Sequence, residues 1–192
     1  AGADPNIQTS NDALTALSIA VFNDNAELMR LLVQAGADPN HTTRTGTIFG
    51  TVVRRFGPEV IRLFLAHGAD PNKPTADIPP LVSAYENPEY VLPILLDAGA
   101  TSGKNVVLRR ATRRRQLDVM ELMLAAGADV NNIGPYGLSV LHLAAKHNAP
   151  EVAEKLIAYG ADASLRDDKG RTPLDLAQEK NAHEVTKLLS SL

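Results

Sequence analysis

Residues 137–164 read G-L-S-V-L-H-L-A-A-K-H-N-A-P-E-V-A-E-K-L-I-A-Y-G-A-D-A-S, and this stretch decides the fold because near-copies of it recur along the chain. Two groups of its apolar residues are spaced as on one face of a helix: Leu141, Ala144 and Ala145, then Val152, Ala153, Leu156 and Ile157. The pattern predicts two short helices, with Pro150 in the first turn of the second and Gly160 as its left-handed cap. So small a helix pair cannot bury its own apolar faces, so it must stack on its neighbours.

Two markers show where the copies lie. A glycine tag closes each copy, as G-A-D-P-N at Gly2, Gly36 and Gly68, G-A-T at Gly99, G-A-D-V-N at Gly127 and G-A-D-A-S at Gly160. A second marker opens the first helix, at Thr15, Thr47, Pro79, Val106, Ser139 and Thr172. From this marker to the next glycine the distance is 20 or 21 residues, whereas from glycine to marker it varies between 7 and 13. An insertion in a packed helix rotates its apolar face by about 100°, so the length variation lies in the loops.

These markers resemble the ankyrin repeat, whose unit carries T-P-L-H-x-A, a second helix and G-A-D-x-N. The resemblance spans the whole chain and implies an all-α solenoid of stacked helix-turn-helix pairs with short β-hairpin or loop connections. The expected boundaries are a tail of a preceding repeat at 1–8 and repeats at 9–40, 41–72, 73–101, 102–131, 132–164 and 165–192. The chain is then a single ankyrin-repeat domain, 1–192.

Three repeats are expected to depart from the pattern. In the third, Pro93 predicts a second helix that is kinked or begins late, because an interior proline removes a hydrogen bond. The fourth has a short connection, and polar residues among the apolar positions of the sixth indicate a C-terminal cap. The apolar residues of the first repeat predict more ordered chain, in the form of another repeat, before Ala1.

Composition narrows the function classes. The chain has 192 residues, a formal net charge of −3 and no cysteine, so disulfides and thiolate metal sites are absent, which suits an intracellular protein. No run reaches eighteen apolar residues, so no membrane insertion is expected. A pI near 6.0 and few aromatic residues argue against nucleic acid as a partner. We expect no cofactor and favour a monomer.

A catalytic interpretation finds little support. The sequence has no phosphate-binding glycine loop and no H-E-x-x-H motif, and its histidines lack regular ligand spacing, so we expect no catalytic residue and no metal site. His142 matches the histidine of T-P-L-H-x-A, and the resemblance implies that it bonds between neighbouring repeats. The aspartates and asparagines of the tags are expected to satisfy the backbone of the turn.

One feature exceeds what the repeat needs: Arg109, Arg110, Arg113, Arg114 and Arg115 follow one another with no acid between them. In ankyrin proteins the seventh and eighth residues after the first-helix marker line a concave groove. These groove positions, together with Tyr136, are the candidate partner-binding residues, with Phe22 and Tyr136 as apolar anchors. The full set is Phe22, Arg54, Arg55, Arg113, Arg114, Tyr136, Lys146 and His147. Arg110 is expected to be partly buried and paired, because its slot holds Leu143 and Leu176 in sister repeats.

Two interpretations of the arginines stay open. They are either an ordinary solvated helix face or a ligand site, since like charges four residues apart destabilise a helix that has no anionic partner. For a ligand site the candidates are an acidic peptide, a phosphopeptide or an inositol phosphate. The predicted function is a non-catalytic protein–protein interaction module that binds a partner with an acidic segment through the concave groove. The alternative is a regulatory or targeting segment of a larger enzyme or receptor whose catalytic domain lies outside this chain.

Overall fold

A computed structural model describes residues 3–10 and 13–192. Four residues therefore lie outside the described residues: Ala1, Gly2 of the first tag, and Asn11 and Asp12 of the first repeat. The chain divides into two compact units, an N-terminal unit (Ala1–Gly103) and a C-terminal unit (Lys104–Leu192). Each unit is built from helix pairs, as the repeat pattern predicts.

The N-terminal unit places its first helices in one layer and its second helices in another. Its elements are α1 (Ala16–Phe22), α2 (Ala26–Gln34), β1 (Thr42–Thr43), β2 (Gly46–Thr47), α3 (Ile48–Arg55), α4 (Pro58–Ala66), α5 (Pro80–Ser83), a 3-10 turn (Ala84–Glu86) and α6 (Pro88–Asp97). Helix α3 contacts α1 and α5, and α4 contacts α2 and α6. Between the layers the rings of Phe49 and Phe64 stack with centroids 6.4 Å apart, and both side chains are buried. This stack lies within one helix pair, but α3 and α4 each pack on the pairs before and after them, so the core continues from pair to pair.

The C-terminal unit repeats the same arrangement. Its elements are α7 (Lys104–Arg114), α8 (Leu117–Ala125), a 3-10 turn (Pro135–Gly137), α9 (Val140–Lys146), α10 (Pro150–Ala158), α11 (Pro173–Glu179) and α12 (His183–Leu189). Helix α9 contacts α7 on one side and α11 on the other, while α10 contacts α12. Leu108, Met120 and Met123 are among the largest fully buried side chains of this unit. The first helices α7, α9 and α11 consequently lie in one layer.

Local sequence explains where the helices begin and end. Ser139 and Thr172 each accept a hydrogen bond from the backbone N–H three residues on, and the side chain at that third position bonds back, which forms a capping box. Gly160 adopts φ +85° after α10, and the N–H of Ala161 then donates to the carbonyl of Leu156 at 2.9 Å. Four of the markers found in the sequence are thus N-cap residues whose side chains bond the first turn of the helix: Thr15, Thr47, Ser139 and Thr172.

The polar residues of the glycine tags form two kinds of hydrogen bond, one within the turn and one to the following tag. The carboxylate of Asp129 accepts from the N–H of Asn131 at 2.8 Å, and the other tag aspartates accept in the same way, which confirms their predicted role in the turn. The asparagines also reach the following tag. Asn131 accepts from the N–H of Asp162 at 2.8 Å and donates to the carbonyl of Gly160 at 3.3 Å. An asparagine of the preceding tag therefore holds the turns at Gly36, Gly68, Gly99 and Gly160.

The irregular repeats differ from expectation in detail. The predicted late start of the second helix in repeat 3 is wrong, because α6 begins at Pro88 and runs through Pro93 without a break. The irregularity lies instead in the first helix, which is α-helical for four residues before it tightens into the 3-10 turn. In repeat 4 the short connection is confirmed, and α7 begins at Lys104, two residues before the marker Val106.

The predicted β-hairpin connections are partly formed. Strands β1 and β2 pair antiparallel, with Thr42 opposite Thr47, and a single bridge joins Thr75 to Ile78. In the rest of the described chain the connections are turns and 3-10 segments.

Candidate functional site

The turn after α7 carries an unusual residue. Arg115 has φ +56°, and the residues at the corresponding turns of three sister repeats, Asp24, Asn148 and Asn181, have φ between +45° and +54°. Asparagine and aspartate tolerate this left-handed conformation, whereas it destabilises the folded state by about 1–2 kcal/mol for other non-glycine residues. The Arg115 guanidinium reaches α9, where Nη2 donates to the carbonyl of His147 at 2.5 Å. Repeat 4 therefore holds an arginine where its sisters hold a better-suited residue.

Four cationic or titratable side chains lie near this turn, and we call Arg113, Arg115, Lys146 and His147 the basic cluster. Desolvation lowers the pKa of His147 most, and the charges of Lys146, Arg113 and Arg115 lower it further. All four residues are exposed. Within the described part of the chain, none of the ion pairs includes a member of the cluster. Among the residues that the structure describes, the basic cluster thus has no carboxylate partner.

Helix electrostatics account for part of this arrangement. Arg113 lies in the last turn of α7 and Lys146 in the last turn of α9, where the helix dipole favours a cation by about 0.3–1 kcal/mol. The helix dipole thus accounts for Arg113 and Lys146 taken one at a time. It does not account for Arg115, which lies beyond the helix in an unfavourable backbone conformation, or for the proximity of all four side chains.

A cavity of about 370 Å³ adjoins the cluster and shares Lys146 with it. Its other lining residues are Tyr136, Leu138, Asp167, Asp168, Lys169, Arg171, Leu176, Glu179 and Lys180. Leu138 and Leu176 are buried in a small apolar group. Tyr136, in contrast, is 79% exposed, and its carbonyl accepts from the N–H of Asp168 at 3.2 Å. The cavity thus combines an apolar base with an exposed aromatic ring and charged walls.

Asp167 fixes one wall of this cavity. Its buried carboxylate accepts from Nε and Nη2 of Arg171 at 2.9 and 2.6 Å and from the N–H of Lys169 at 2.9 Å. These bonds, the one from the Arg171 side chain above all, lower the pKa of Asp167 to about 2. Arg171 also pairs with Glu179, so this wall is internally neutralised in a way that the basic cluster is not.

Arg109, not Arg110, is the buried arginine of α7. The prediction for Arg110 is wrong as regards burial, because that side chain is exposed, whereas Arg109 is 7% exposed. Arg109 stands in the slot of the T-P-L-H histidine. His142 Nε2 bonds the carbonyl of Arg171 at 2.9 Å, as the resemblance implies, and Arg109 Nη1 donates to the carbonyl of Leu138 at 2.7 Å, in each case 29 residues ahead.

The surroundings of Arg109 show why the slot accepts it. A Cβ at Gly134 would overlap the guanidinium, so glycine leaves room for the longer side chain. Val106 offers no hydroxyl to a histidine ring, whereas Ser139 Oγ lies 2.8 Å from His142 Nδ1. Burial, and then the charge of Arg113, lowers the pKa of Arg109, and its Nη2 atom is buried without a partner among the described residues.

The candidates in the N-terminal unit have separate surroundings. Phe22 is 36% exposed and lines a shallow apolar cavity with Leu14 and the β1–β2 hairpin. Arg55 Nη2 donates to both carboxylate oxygens of Asp24 at 2.7 Å, and Arg55 Cζ lies 5.9 Å from the ring centroid of Phe56. Arg54 is exposed in the last turn of α3. Arg55 is therefore already neutralised, unlike the basic cluster.

Of the predicted site residues in the C-terminal unit, the structure brings Arg113, Lys146 and His147 together and places Tyr136 on the cavity that Lys146 also lines. Arg114 is exposed in the last turn of α7. Sequence reasoning left Arg115 out of the site because the groove positions end at the eighth residue after the marker. The signal that could have found it is an arginine where sister turns have asparagine or aspartate.

No group of three or more histidine, aspartate or glutamate side chains within residues 3–10 and 13–192 is arranged to hold a metal ion. None of the helices in that same part of the chain has the length and apolar character needed to cross a bilayer.

Comparison with known proteins agrees with this architecture. The family description "Ankyrin repeats (many copies)" matches residues 123–177, and "Ankyrin repeat" matches residues 12–44. A comparison with curated protein sequences gave no significant match.

Solved structures resemble the chain over most of its length. The ankyrin repeat domain of Bcl-3, described as a unique member of the IkappaB protein family, is 27% identical with a TM-score of 0.79, and the match covers 96% of this chain and 86% of that one. An ankyrin repeat domain from Acinetobacter baumannii AYE is 24% identical with a TM-score of 0.81, covering 91% and 96%. A chain in the complex of the predatory endopeptidase Bd0816 from Bdellovibrio bacteriovorus with immunity protein Bd3460 is 24% identical with a TM-score of 0.75, covering 96% and 99%.

The fold is thus an all-α repeat solenoid of stacked helix pairs. The chain is an ankyrin-repeat protein, as its markers indicate. Ankyrin domains are in general protein–protein interaction modules and typically lack catalytic activity.

Proposed function

We propose that this chain is a non-catalytic interaction module that binds a partner protein through an acidic segment, with the basic cluster as the centre of the contact. The observation that carries the proposal is the convergence of Arg113, Arg115, Lys146 and His147 with no ion pair to a carboxylate of the described chain. An acidic segment would relieve the mutual repulsion of these cations and gain charge-assisted hydrogen bonds. Arg54 and Phe22 of the N-terminal unit are proposed as separate contacts with a partner protein.

Electrostatics would give such a contact both speed and specificity. Complementary charge accelerates encounter and disfavours partners of the wrong sign, while a few desolvated pairs supply most of the affinity. The net charge of −3 means that this attraction is local to the cluster. Binding should accordingly weaken as salt rises, because exposed charges are screened.

The test measures fluorescence anisotropy of a fluorescein-labelled, glutamate-rich peptide titrated with the full chain. The double substitution Arg113→Glu and Lys146→Glu should weaken binding by at least about tenfold, because it replaces two attractive contacts with repulsive ones. A matched control, Arg62→Glu with Lys187→Glu, makes the same change in net charge at exposed positions on the second helices α4 and α12.

The control should leave binding within about twofold. Both variants should remain folded, with a free energy of unfolding within about 2 kcal/mol of the parent chain, since all four side chains are exposed and each cation in a last helical turn contributes about 0.3–1 kcal/mol. Equal binding by the parent and the Arg113/Lys146 variant, or an equal loss in both variants, would remove the basic cluster from the proposed function.

A further inference from the structure

The donors of the basic cluster come from two adjacent helices and the turn between repeats. Arg113 and Lys146 lie in the last turns of α7 and α9, and Arg115 is tied to α9 by its bond to the carbonyl of His147. That bond uses Nη2 of Arg115, which leaves the other nitrogens of its guanidinium for a ligand. Three permanent cations and one imidazole thus border the same small region. A single carboxylate would neutralise only one of these charges.

We propose that the basic cluster binds the phosphate ester of a phosphoserine or phosphothreonine in the partner protein. This inference rests on the proposed function and narrows it to one class of acidic segment. A phosphate monoester carries about 1.5–2 negative charges at neutral pH and presents three acceptor oxygens. The planar fork of arginine matches two of these oxygens at once.

Protonation of His147 on binding would favour a phosphate dianion over a carboxylate, which carries a single negative charge. Its pKa is lowered by burial and by Lys146, Arg113 and Arg115, so at neutral pH the ring is mostly uncharged. A bound dianion offsets the potential of those three neighbours and favours the protonated ring. His147 would then become a fourth donor to the phosphate.

The neighbouring cavity favours a peptide over a free anion. Lys146 borders both the cluster and the cavity, whose base is formed by Leu138 and Leu176 and whose rim carries the exposed ring of Tyr136. A peptide whose phosphate lies at the cluster can place an apolar side chain against these residues. Inorganic phosphate and an inositol phosphate headgroup have no apolar part to place there.

The experiment uses three degenerate peptide libraries with randomised residues on both sides of a fixed phosphoserine, glutamate or serine. The full chain is immobilised, equimolar libraries are passed over it, and retained peptides are counted by mass spectrometry. We expect the phosphoserine library to be retained about tenfold better than the glutamate library, with apolar residues enriched near the phosphate. Arg113→Gln with Lys146→Gln should abolish this preference, whereas Arg62→Gln with Lys187→Gln should preserve it.

The outcomes separate this inference from the proposed function. Equal retention of the phosphoserine and glutamate libraries, both above serine, would overturn the phosphate assignment and leave an acidic-segment module. No retention of either acidic library above serine would overturn both. Vesicles of phosphatidylcholine with phosphatidylinositol bisphosphate provide a further arm. Cluster-dependent binding to them, without retention of the phosphoserine library, would move the phosphate from a peptide to a lipid and refute the inference.

Discussion

Replacing Arg115 with asparagine should change stability and binding in opposite directions. At φ +56° an arginine pays about 1–2 kcal/mol that asparagine largely avoids, as the sister residues Asn148 and Asn181 do. The substitution also removes the hydrogen bond to the carbonyl of His147, which is solvent-exposed and worth about 0.5–1.5 kcal/mol. Arg115→Asn should therefore leave the free energy of unfolding unchanged or raise it by up to about 1 kcal/mol.

Binding should respond with the opposite sign, because the basic cluster loses one of its three permanent charges. We expect about three- to tenfold weaker affinity for the glutamate-rich peptide, measured by anisotropy at fixed salt. Unfolding is followed by circular dichroism in urea. A matched control is Asn181→Arg, which places an arginine in the equivalent turn after α11, where φ is +54°, and should cost about 1 kcal/mol. The reasoning is refuted if Arg115→Asn destabilises the chain by more than about 1 kcal/mol or leaves peptide affinity unchanged.

The remaining predictions concern contacts within the C-terminal unit. Arg109→Ala should lower stability in urea by about 2–4 kcal/mol through the cavity and the lost bond to Leu138. Both Arg109→Ala and Arg109→Met remove the buried charge, but methionine fills most of the space, so Arg109→Met should stay within about 1 kcal/mol; equal losses would show that the guanidinium itself is required. Asp167→Asn should cost about 1.5–3 kcal/mol at neutral pH. Because the folded pKa of Asp167 is about 2, against 3.8 as the ordinary value, its contribution is present above about pH 4 and is lost as pH falls towards 2, so acid titration of the unfolding midpoint should be shallower in Asp167→Asn. Asn131→Ala should cost about 1 kcal/mol in the same urea assay, since it breaks the two bonds to the tag at Gly160; no change would show that water replaces them fully.

Much of the fold could be predicted because its signals are local. The markers at Ser139 and Thr172 are N-cap residues, and Gly160 needs the left-handed conformation that ends α10, so each follows from the backbone chemistry of a helix end. Pro93 misled the prediction. Tertiary packing holds α6 together through a residue that costs an isolated helix about 3 kcal/mol.

The site was less predictable because its character depends on contacts between repeats. The run of arginines was evident in the sequence. Which of them is buried depends on whether its side chain can extend to an acceptor in the next repeat. Arg109 spans to the carbonyl of Leu138, while Arg110 turns to solvent. Arg115 joins the cluster only because a left-handed turn aims its side chain at α9, and nothing in helical periodicity reports that direction.

The asparagine links between tags set a rule for extending this chain by design. Each linking asparagine presents its amide to the following tag, but the sixth tag carries Ser164, whose hydroxyl donates to its own Asp162 at 2.6 Å. If a further helix hairpin were grafted after α12, the turn that joins it would therefore receive no asparagine side-chain bond from the sixth tag. Ser164→Asn supplies one, which makes this single position the place where an engineer could continue the array.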